Sequence, residues 1–336
     1  MIIQGFDLSQ KRMLIAEIGN NHEGDPVLAK DLASAAIECG ADAIKFQFIN
    51  PERLVHCSQT ERLAQLKRFQ LPAKTIQELH ALVKSKKRLF MASAFDVESL
   101  TATAHLLAAV KIASGDITFL PLLIEACRLN KTIILSTGGS TLTEIATAVD
   151  MVKENLPKGK LSDRLALLHC VSLYPATLPE VNLQVIPSLS KKFKLTTGFS
   201  DHTLGIETAI VSLSLGARII EKHFTLDKNR TTFRDHSLSA DPSDMKKLAD
   251  VVHKFDEILG TGDKSISSRE QEANLVARRS IVAARDLPAG TKLEMTDLDY
   301  LRPAKGLSPA DFKKIVGKKL NINLKKHDLV LKDHLK

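Results

Sequence analysis

The sequence predicts an α/β protein with a (β/α)8 (TIM) barrel followed by a small β-rich domain. Short apolar, β-prone runs alternate with longer amphipathic segments along most of the 336 residues. Eight such repeats over about 250 residues are typical of a barrel, although an open doubly wound sheet would show the same alternation. After Leu259 the alternation stops, and polar residues lead into short β-like pieces joined by turns.

The predicted strands are short runs in which apolar, β-prone residues dominate. In chain order they span 13–18, 43–48, 89–92, 110–113, 132–136, 165–170, 195–199 and 219–224. The segments between them, such as 28–39 (LAKDLASAAIEC) and 73–86 (AKTIQELHALVKSK), are amphipathic and predict helices. Polar residues cluster directly after the strands, at the end where barrel enzymes carry their chemistry. We therefore expect a functional site at the carboxyl ends of the strands.

The change of pattern divides the chain into a barrel domain (1–258), a polar linker that ends in a short helix (259–275) and a C-terminal domain (276–336). Most of the net charge of +8 lies from Val276 onward, where the sequence has 14 Lys and Arg residues but only 7 Asp and Glu residues. A solvated basic surface is the ordinary explanation, and a positive cover over an anionic substrate is the alternative. This part lacks interleaved aromatic residues and any nucleic-acid-binding motif, so we expect no nucleic-acid partner.

The composition is typical of a globular protein rather than a membrane or secreted one. No apolar run approaches the roughly 20 residues of a membrane span, so we expect no membrane partner. The N-terminal segment lacks the apolar core of a signal peptide. Four cysteines without a CxxC spacing favour reduced thiols over disulfides or a zinc ribbon. Together these features predict a cytoplasmic protein.

Two histidines stand where predicted strands give way to polar residues, His202 and His223. The 20 residues between them hold one crossover, so both imidazoles are expected at the carboxyl ends of adjacent parallel strands. Glu221 lies two residues before His223 and shares its face of the strand, whereas Lys222 points away. Imidazoles and a carboxylate at a strand mouth suit a divalent metal. A hydrogen-bonded histidine pair at the barrel rim fits the same spacing equally well.

Other residues at the strand ends indicate an anionic substrate. Lys45 and Gln47 alternate on one strand face, and Lys111 lies near the end of the fourth strand, ahead of a Ser-Gly pair. Ser136 begins a Ser-Thr-Gly-Gly turn, whose backbone N–H groups can bind an anion. Inward lysines beside such turns suit a phosphorylated or carboxylated substrate, although serine and glycine are common in any loop. Glu17, at the end of the first strand, is a candidate general base, general acid or orienting residue.

Taken together, these motifs resemble those of the N-acetylneuraminate (sialic acid) synthase family, including its legionaminic-acid and spore-coat-polysaccharide relatives. The matching motifs are AEIGNNHEGD (16–25), GADAIKFQ (40–47), KIASGD (111–116), ILSTGG (134–139), LLHCVSLYP (167–175), FSDHTLG (199–205), IEKHFTLD (220–227) and LRPAKGLSP (301–309). They cover nearly the whole chain in order. The C-terminal part is similar to the antifreeze-like (SAF) domain that ends these enzymes.

The resemblance implies a barrel enzyme that condenses phosphoenolpyruvate with an open-chain N-acetyl hexosamine and water, giving a nine-carbon 2-keto acid and phosphate. It also implies a divalent cation, Mn²⁺ or another such as Mg²⁺ or Co²⁺, held by His202 and His223 to polarise the sugar aldehyde. Lys45, Lys111, Ser114 and Ser136 match phosphoenolpyruvate-binding positions, and Gln47 and Ser93 lie beside them. Ser200 is a further candidate for substrate binding. The charge of the lysines can also stabilise the departing phosphate.

Further roles follow from the same resemblance. Glu17 and Glu221 match carboxylates that transfer protons and support the oxocarbenium-like centre attacked by water. Tyr174 and Asp235 match positions near the sugar. Arg302 matches an arginine that the tail domain inserts into the partner subunit's site to bind the N-acetyl group. A domain-swapped homodimer is therefore expected, and it would give the basic tail a role.

Two departures from the family pattern leave the amino sugar open. Asp116 stands where some bacterial sialic acid synthases carry Glu, and Ser172 stands where they carry Asn. Both positions map near the substrates. N-acetylmannosamine and 2,4-diacetamido-2,4,6-trideoxymannose, which leads to legionaminic acid, are the candidate acceptors. The AEIGNNH start argues against pseudaminic acid, because the synthases of that acid have an AELSANH-type start.

Two other functions are alternatives. A barrel synthase for a shorter acid, such as the 8-carbon keto-octulosonate phosphate, would use a phosphorylated sugar and lack an SAF tail. Residues 276–336 argue against that alternative. A non-enzymatic carbohydrate-binding or ice-binding protein would explain the tail but not the charged residues expected at the barrel mouth.

Overall fold

Eight parallel strands close into a barrel in the order of the chain. They are β1 (Met13–Gly19), β2 (Ala43–Phe48), β3 (Leu89–Ala94), β4 (Val110–Ile112), β5 (Ile133–Ser136), β6 (Leu165–Cys170), β7 (Thr196–Asp201) and β8 (Ile219–His223). The predicted (β/α)8 barrel is confirmed, and each strand ends within two residues of its predicted bounds. The doubly wound alternative is wrong, because β8 pairs with β1 as well as with β7.

This computed structural model describes residues 1–157 and 159–336, which form two compact units, Met1–Gly260 and Thr261–Lys336. The helices of the first unit are Pro26–Glu38, Pro51–Leu54, Thr60–Phe69, Ala73–Ser85, Val97–Thr103, Leu120–Arg128, Leu142–Asn155, Leu161–Arg164, Leu178–Val181, Val185–Phe193, Glu207–Ser214, Arg234–Leu238 and Pro242–Leu259, with 3-10 turns at Ala104–Leu106 and Ser114–Asp116. At least one helix follows every strand. Among the described helices, none combines the length and the apolarity that a membrane crossing needs.

The first long helix shows how local sequence starts these elements. Asp25 precedes it, and its carboxylate accepts hydrogen bonds from the backbone N–H groups of Val27 and Leu28. Pro26 occupies the first helical turn, where a missing N–H costs nothing because no carbonyl precedes it in the helix. The side-chain cap satisfies two of the four N–H groups that every helix leaves free at its start.

Alternation of side chains along the strands produces two apolar layers. On β1, Leu14, Ala16 and Ile18 belong to the large core that includes the buried faces of the helices. Met13 and Ile15, which alternate with them, belong to a second cluster that fills the amino-terminal half of the barrel. The next inward position on β1 is polar, so the apolar filling stops below the carboxyl-terminal mouth.

A short antiparallel hairpin, Ile2–Ile3 with Phe6–Asp7, precedes the barrel. Its Ile3 and the following Leu8 are buried in the same inner cluster as Met13, the first residue of β1. The hairpin therefore packs against the amino-terminal end of the barrel. The opposite end is the one at which polar side chains face the interior.

A glycine on β7 is needed where the interior is most crowded. A Cβ added to Gly198 would lie 2.3 Å from the backbone oxygen of Ile219 and 2.6 Å from Cδ2 of Leu168. These distances are far inside van der Waals contact, so a larger residue would force the backbone of β8 to move. The missing side chain leaves room for residues of β6 and β8 to fill the barrel.

The second unit contains a two-stranded antiparallel sheet of β9 (Ser280–Ala283) and β10 (Leu298–Leu301), as expected for the small β-rich domain. The helix Ser268–Ala277 precedes the sheet, and shorter helical pieces are Met295–Asp297, Pro309–Asp311, Phe312–Ile315 and Lys332–His334. The second unit has its own hydrophobic core, which consists of Ile281, Ala283, Leu287, Leu293, Leu298, Ile315, Leu320, Leu324 and Val330.

Candidate active site

The carboxyl-terminal end of the barrel holds a narrow polar pocket. On β1, for example, the inward residues Met13 and Ile15 are followed by Glu17, which lines the pocket. The pocket brings together twelve of the sixteen site residues predicted from the sequence: Glu17, Lys45, Gln47, Ser93, Lys111, Ser114, Ser136, Tyr174, Ser200, His202, Glu221 and His223. Their side chains come from all eight strands or from the loops that follow them.

Strand register explains why these residues meet. Glu17 on β1 lies beside His223 on β8 and beside Lys45 on β2. Glu221 shares the inner face of β8 with His223, and both line the pocket. Lys222, between them in sequence, points away from the pocket, as predicted from strand alternation.

Two lysines and two glutamates form a buried charge cluster in the pocket. Lys45 Nζ lies 2.7 Å from Glu17 Oε2 and 3.6 Å from Glu221 Oε2. Lys111 Nζ lies 3.8 Å from Glu221 Oε1. None of the four side chains is more than 7% exposed, so solvent screens their interactions little. Each carboxylate has a lysine as counter-ion, and the ionised cluster carries no net charge.

These pairings set the ionisation of the cluster. Burial raises the pKa of Glu221, but Lys111 and Lys45 outweigh it and hold that pKa at about 2. Burial lowers the pKa of Lys45 by less than Glu17 and Glu221 raise it, so this pKa lies above its usual value. For Lys111, burial outweighs the attraction of Glu221, and the pKa is lowered. Glu221 therefore stays ionised near neutral pH.

Amides and hydroxyls orient the charged groups. Gln47 Nε2 donates a hydrogen bond to Glu17 Oε1 at 2.8 Å. Ser200 Oγ donates to Glu221 Oε1 at 2.9 Å, and Lys111 Nζ donates to the hydroxyl of Ser136 at 2.7 Å. The cluster is thus fixed in position by the protein itself, a condition for electrostatic stabilisation of a reacting group.

The two histidine rings lie side by side in the pocket, with centroids 5.7 Å apart. His202 Nδ1 lies 2.7 Å from the backbone oxygen of Val171, so this nitrogen carries the proton and Nε2 keeps its lone pair. Burial, followed by the neighbouring His223, lowers the pKa of His202 to about 3 and keeps the ring neutral. His223 Nδ1 is buried and has no hydrogen-bond partner among the described residues.

Neutral imidazoles with free ring nitrogens are suitable ligands for a divalent cation. Within the part of the chain that the structure describes, no three His, Cys, Asp or Glu side chains are arranged as a ready-made metal site. The two imidazoles would therefore supply two ligands, and water or substrate oxygens would supply the others. Two protein ligands would leave coordination positions open to water or substrate, whereas a closed structural site fills its positions with protein ligands.

A wider cavity of about 540 Å³ joins the pocket and holds three more predicted residues, Asp116, Ser172 and Asp235. Ser172 Oγ lies 3.0 Å from Ser114 Oγ at the junction of the two spaces. Burial raises the pKa of Asp116 to about 6, and its Oδ2 has no hydrogen-bond partner among the described residues. The cavity has the size of a small-molecule site and offers a free carboxylate oxygen to a ligand.

Sequence reasoning misses several residues of these spaces, among them Asn20, Cys170 and Arg234. The guanidinium carbon of Arg234 lies 4.6 Å from the ring centroid of Tyr174, whose ring stacks on His202 at 4.1 Å. Asn20 Nδ2 donates to the side-chain oxygen of Gln47 at 2.9 Å. Asn20 directly follows β1, so a search of every polar residue after a strand finds it.

The sixteenth predicted residue, Arg302, belongs to the second unit. It is exposed and directly follows β10. Its action in the site of a partner subunit stays a prediction.

Family models match both parts of the chain. The model described as the NeuB family matches residues 32–264. The chain belongs to the NeuB family. The NeuB match includes strands β2 to β8 and the charge cluster apart from Glu17, and an SAF domain model matches residues 278–336.

Individual relatives agree with this assignment. The NeuB-family chain is 38% identical to the N,N'-diacetyllegionaminic acid synthase of Legionella pneumophila, over 96% of this chain and 94% of the relative. It is 30% identical to the N-acetylneuraminate-9-phosphate synthase of Homo sapiens, over 95% and 91%. The crystal structure of the N-acetylneuraminic acid (sialic acid) synthetase from Leptospira borgpetersenii matches with a TM-score of 0.72 and 35% identity, over 78% of this chain and 90% of that one. The resemblance to sialic acid synthases is confirmed, and it favours an enzyme over a carbohydrate-binding or ice-binding protein.

Proposed function

We propose that this protein condenses phosphoenolpyruvate with an open-chain N-acetylated hexosamine and water, forming a nine-carbon 2-keto sugar acid and phosphate. It is then a phosphoenolpyruvate-dependent transferase that forms a C–C bond. The observation that carries this proposal is the buried cluster of two lysines and two glutamates beside a histidine pair at the barrel mouth.

Lys45 and Lys111 suit the carboxylate and phosphate groups of phosphoenolpyruvate. Ser93 Oγ lies 3.4 Å from Lys45 Nζ, and Ser136 Oγ lies 2.7 Å from Lys111 Nζ. A lysine beside a hydroxyl offers an anion both charge and a directional donor. Ser114 lines the same pocket and adds a further donor.

The charge balance of the pocket supports a divalent cation. Both lysines are already matched by glutamates, so the pocket alone offers no net positive charge to a substrate with a phosphate and a carboxylate. Mn²⁺, or another divalent cation such as Mg²⁺ or Co²⁺, would supply the missing positive charge if it were held by His202 and His223. When bound, it would polarise the sugar aldehyde as a Lewis acid.

The two carboxylates have different tasks in the proposed reaction. C3 of phosphoenolpyruvate bonds to the aldehyde carbon, and water adds to the cationic C2 that results. Glu221, which stays ionised, stabilises that cationic centre. Glu17 lies beside His223 and is oriented by Gln47, where it can take a proton from the attacking water. C2 then expels phosphate, and the protons of the water end on the new hydroxyl and on the phosphate.

The outer cavity is the proposed site of the amino sugar, because Asp116, Ser172, Tyr174 and Asp235 line it next to the histidines. N-acetylmannosamine is one candidate acceptor. A second candidate, 2,4-diacetamido-2,4,6-trideoxymannose, is favoured by the higher identity to the legionaminic acid synthase, 38% against 30% for the human enzyme.

We also propose a domain-swapped homodimer in which the partner's Arg302 binds the N-acetyl group. The LRPAKG motif (301–306) and the SAF match support this proposal. Sedimentation velocity is expected to show a dimer, and Arg302→Ala is expected to raise the KM for the sugar roughly tenfold, the usual worth of a lost charged hydrogen bond. A fully active monomer would contradict the arrangement.

His202→Ala and His223→Ala are each expected to reduce phosphoenolpyruvate-dependent phosphate release by roughly a hundredfold or more, because each removes a cation ligand. The circular dichroism spectrum should stay that of the folded barrel. His105→Ala, at an exposed position outside the pocket, is the matched control and should keep full activity. Full activity in either pocket variant, or in enzyme stripped of metal by a chelator, would overturn the metal assignment.

A phosphate-release screen identifies the acceptor. Phosphoenolpyruvate and Mn²⁺ are held constant, and the sugar is N-acetylmannosamine, its 6-phosphate or 2,4-diacetamido-2,4,6-trideoxymannose. We expect kcat/KM to be highest with the diacetamido sugar and measurable with N-acetylmannosamine. Turnover with the 6-phosphate alone would contradict the proposed acceptor class, and no turnover with any of the three would contradict the reaction.

A further inference from the structure

A second ion pair lies on the opposite side of the strands that carry the histidines. Lys222 Nζ on β8 lies 3.1 Å from Asp201 Oδ2 on β7, and both side chains are fully buried, at 0% exposure. The two residues are direct partners in the register of the sheet. Each immediately precedes one histidine, Asp201 before His202 and Lys222 before His223.

The same pair fixes the turn that follows His202. Asp201 Oδ1 accepts hydrogen bonds from both the backbone N–H and the hydroxyl of Thr203, each at 2.8 Å. Lys222 Nζ donates to the backbone oxygen of Thr203 at 2.6 Å, and Thr208 Oγ1 donates to Asp201 Oδ2 at 3.1 Å. The residues before and after His202 are thus both tied to β8 or to the next helix.

Stability alone does not require such a pair. Removing two charges from water costs several kcal/mol per ion, and well-packed apolar residues of similar volume are often at least as stabilising. The preceding outward-facing residues of both strands are apolar. Phe199 on β7 and Ile220 on β8 each lie two residues before the ion pair and belong to the large core. We therefore expect that the aspartate and the lysine at these positions fix the relative positions of the two strand ends.

The position of the pair in the ladder indicates that role. The pairing of β7 with β8 ends at Asp201 and Lys222, so His202 lies just beyond the last paired residue. The ion pair is consequently the last direct tie between the two strands before the imidazoles. Without the pair, the end of β7 could move relative to β8. The 5.7 Å separation of the two ring centroids would then change.

We propose that Asp201 and Lys222 are positioning residues that set the spacing of the His202 and His223 imidazoles, and thereby the affinity of the pocket for a divalent cation. This inference rests on the proposed function, because it takes the two histidines as cation ligands. The pair touches neither substrate nor cation and acts only through the strands that carry the histidines.

The test measures Mn²⁺ affinity and thermal stability separately in the full-length protein. The double variant Asp201→Leu with Lys222→Met replaces the ion pair by apolar side chains of similar size. We expect it to fold with a lowered Tm, because the backbone N–H and carbonyl of Thr203 lose their partners, and to bind Mn²⁺ about ten- to a hundredfold more weakly, as found when groups that orient metal ligands are removed. Free Mn²⁺ is quantified by electron paramagnetic resonance.

Asp256→Asn provides the matched control. Asp256 pairs with Arg12 at 2.8 Å, and Arg12 also donates to Leu213 and Ala217, in the segment that joins β7 to β8. The Arg12–Asp256 pair thus holds the segment between β7 and β8 at the end that lies away from the histidines. The control variant is expected to lose stability but to keep the Mn²⁺ affinity of the unmodified protein.

Unchanged Mn²⁺ affinity in a folded double variant would overturn the inference while leaving the proposed metal site intact. No Mn²⁺ binding by the unmodified protein would overturn both. If the double variant does not fold, Thr208→Val decides, because it keeps the ion pair and removes one hydrogen bond to Asp201 together with the contact between the Thr208 and Thr203 hydroxyls. It is expected to weaken Mn²⁺ binding on the order of threefold, and an unchanged affinity would overturn the positioning role.

Discussion

The electrostatic balance among Lys45, Lys111, Glu17 and Glu221 is the constraint on which the rest of the site depends. Four charges at this depth are tolerated only because each has an opposite charge within 4 Å. The balance keeps Glu221 ionised and leaves the pocket neutral as a whole. In the proposed function, an anionic substrate would bind together with a divalent cation, and His202 and His223 beside the cluster would provide ligands for it.

The barrel makes this arrangement possible through strand alternation. On β1, β2, β3, β5 and β8 the first inward residues are apolar, and the last one or two inward positions are polar. On β7 and β8, two consecutive residue pairs of the sheet register point to opposite faces. Ser200 and Glu221 face the pocket, whereas Asp201 and Lys222 face the outer core and tie the two strands together.

The sequence was sufficient to predict the strands, the barrel and most of the site. Hydrophobic runs separated by amphipathic segments locate β1 to β8, and the alternation rule correctly turns Glu221 into the pocket and Lys222 out of it. Contacts between side chains on different strands could not be predicted, because they depend on the register of the barrel. Thus Lys45 pairs with carboxylates on β1 and β8, and Asp201 becomes the partner of Lys222 only when β7 and β8 are aligned. Arg234 was missed because it begins a helix of only five residues, Arg234–Leu238, which is too short to give a periodic signal in the sequence.

The most direct test of the account is the affinity for phosphoenolpyruvate with and without a divalent cation, measured by isothermal titration calorimetry. A neutral lysine–glutamate cluster predicts that phosphoenolpyruvate binds at least about tenfold more tightly when Mn²⁺ is present, because the cation supplies the missing positive charge. Equal affinity in metal-free protein would contradict the account. It would mean that the two lysines alone provide the charge for substrate binding, despite their pairing with Glu17 and Glu221.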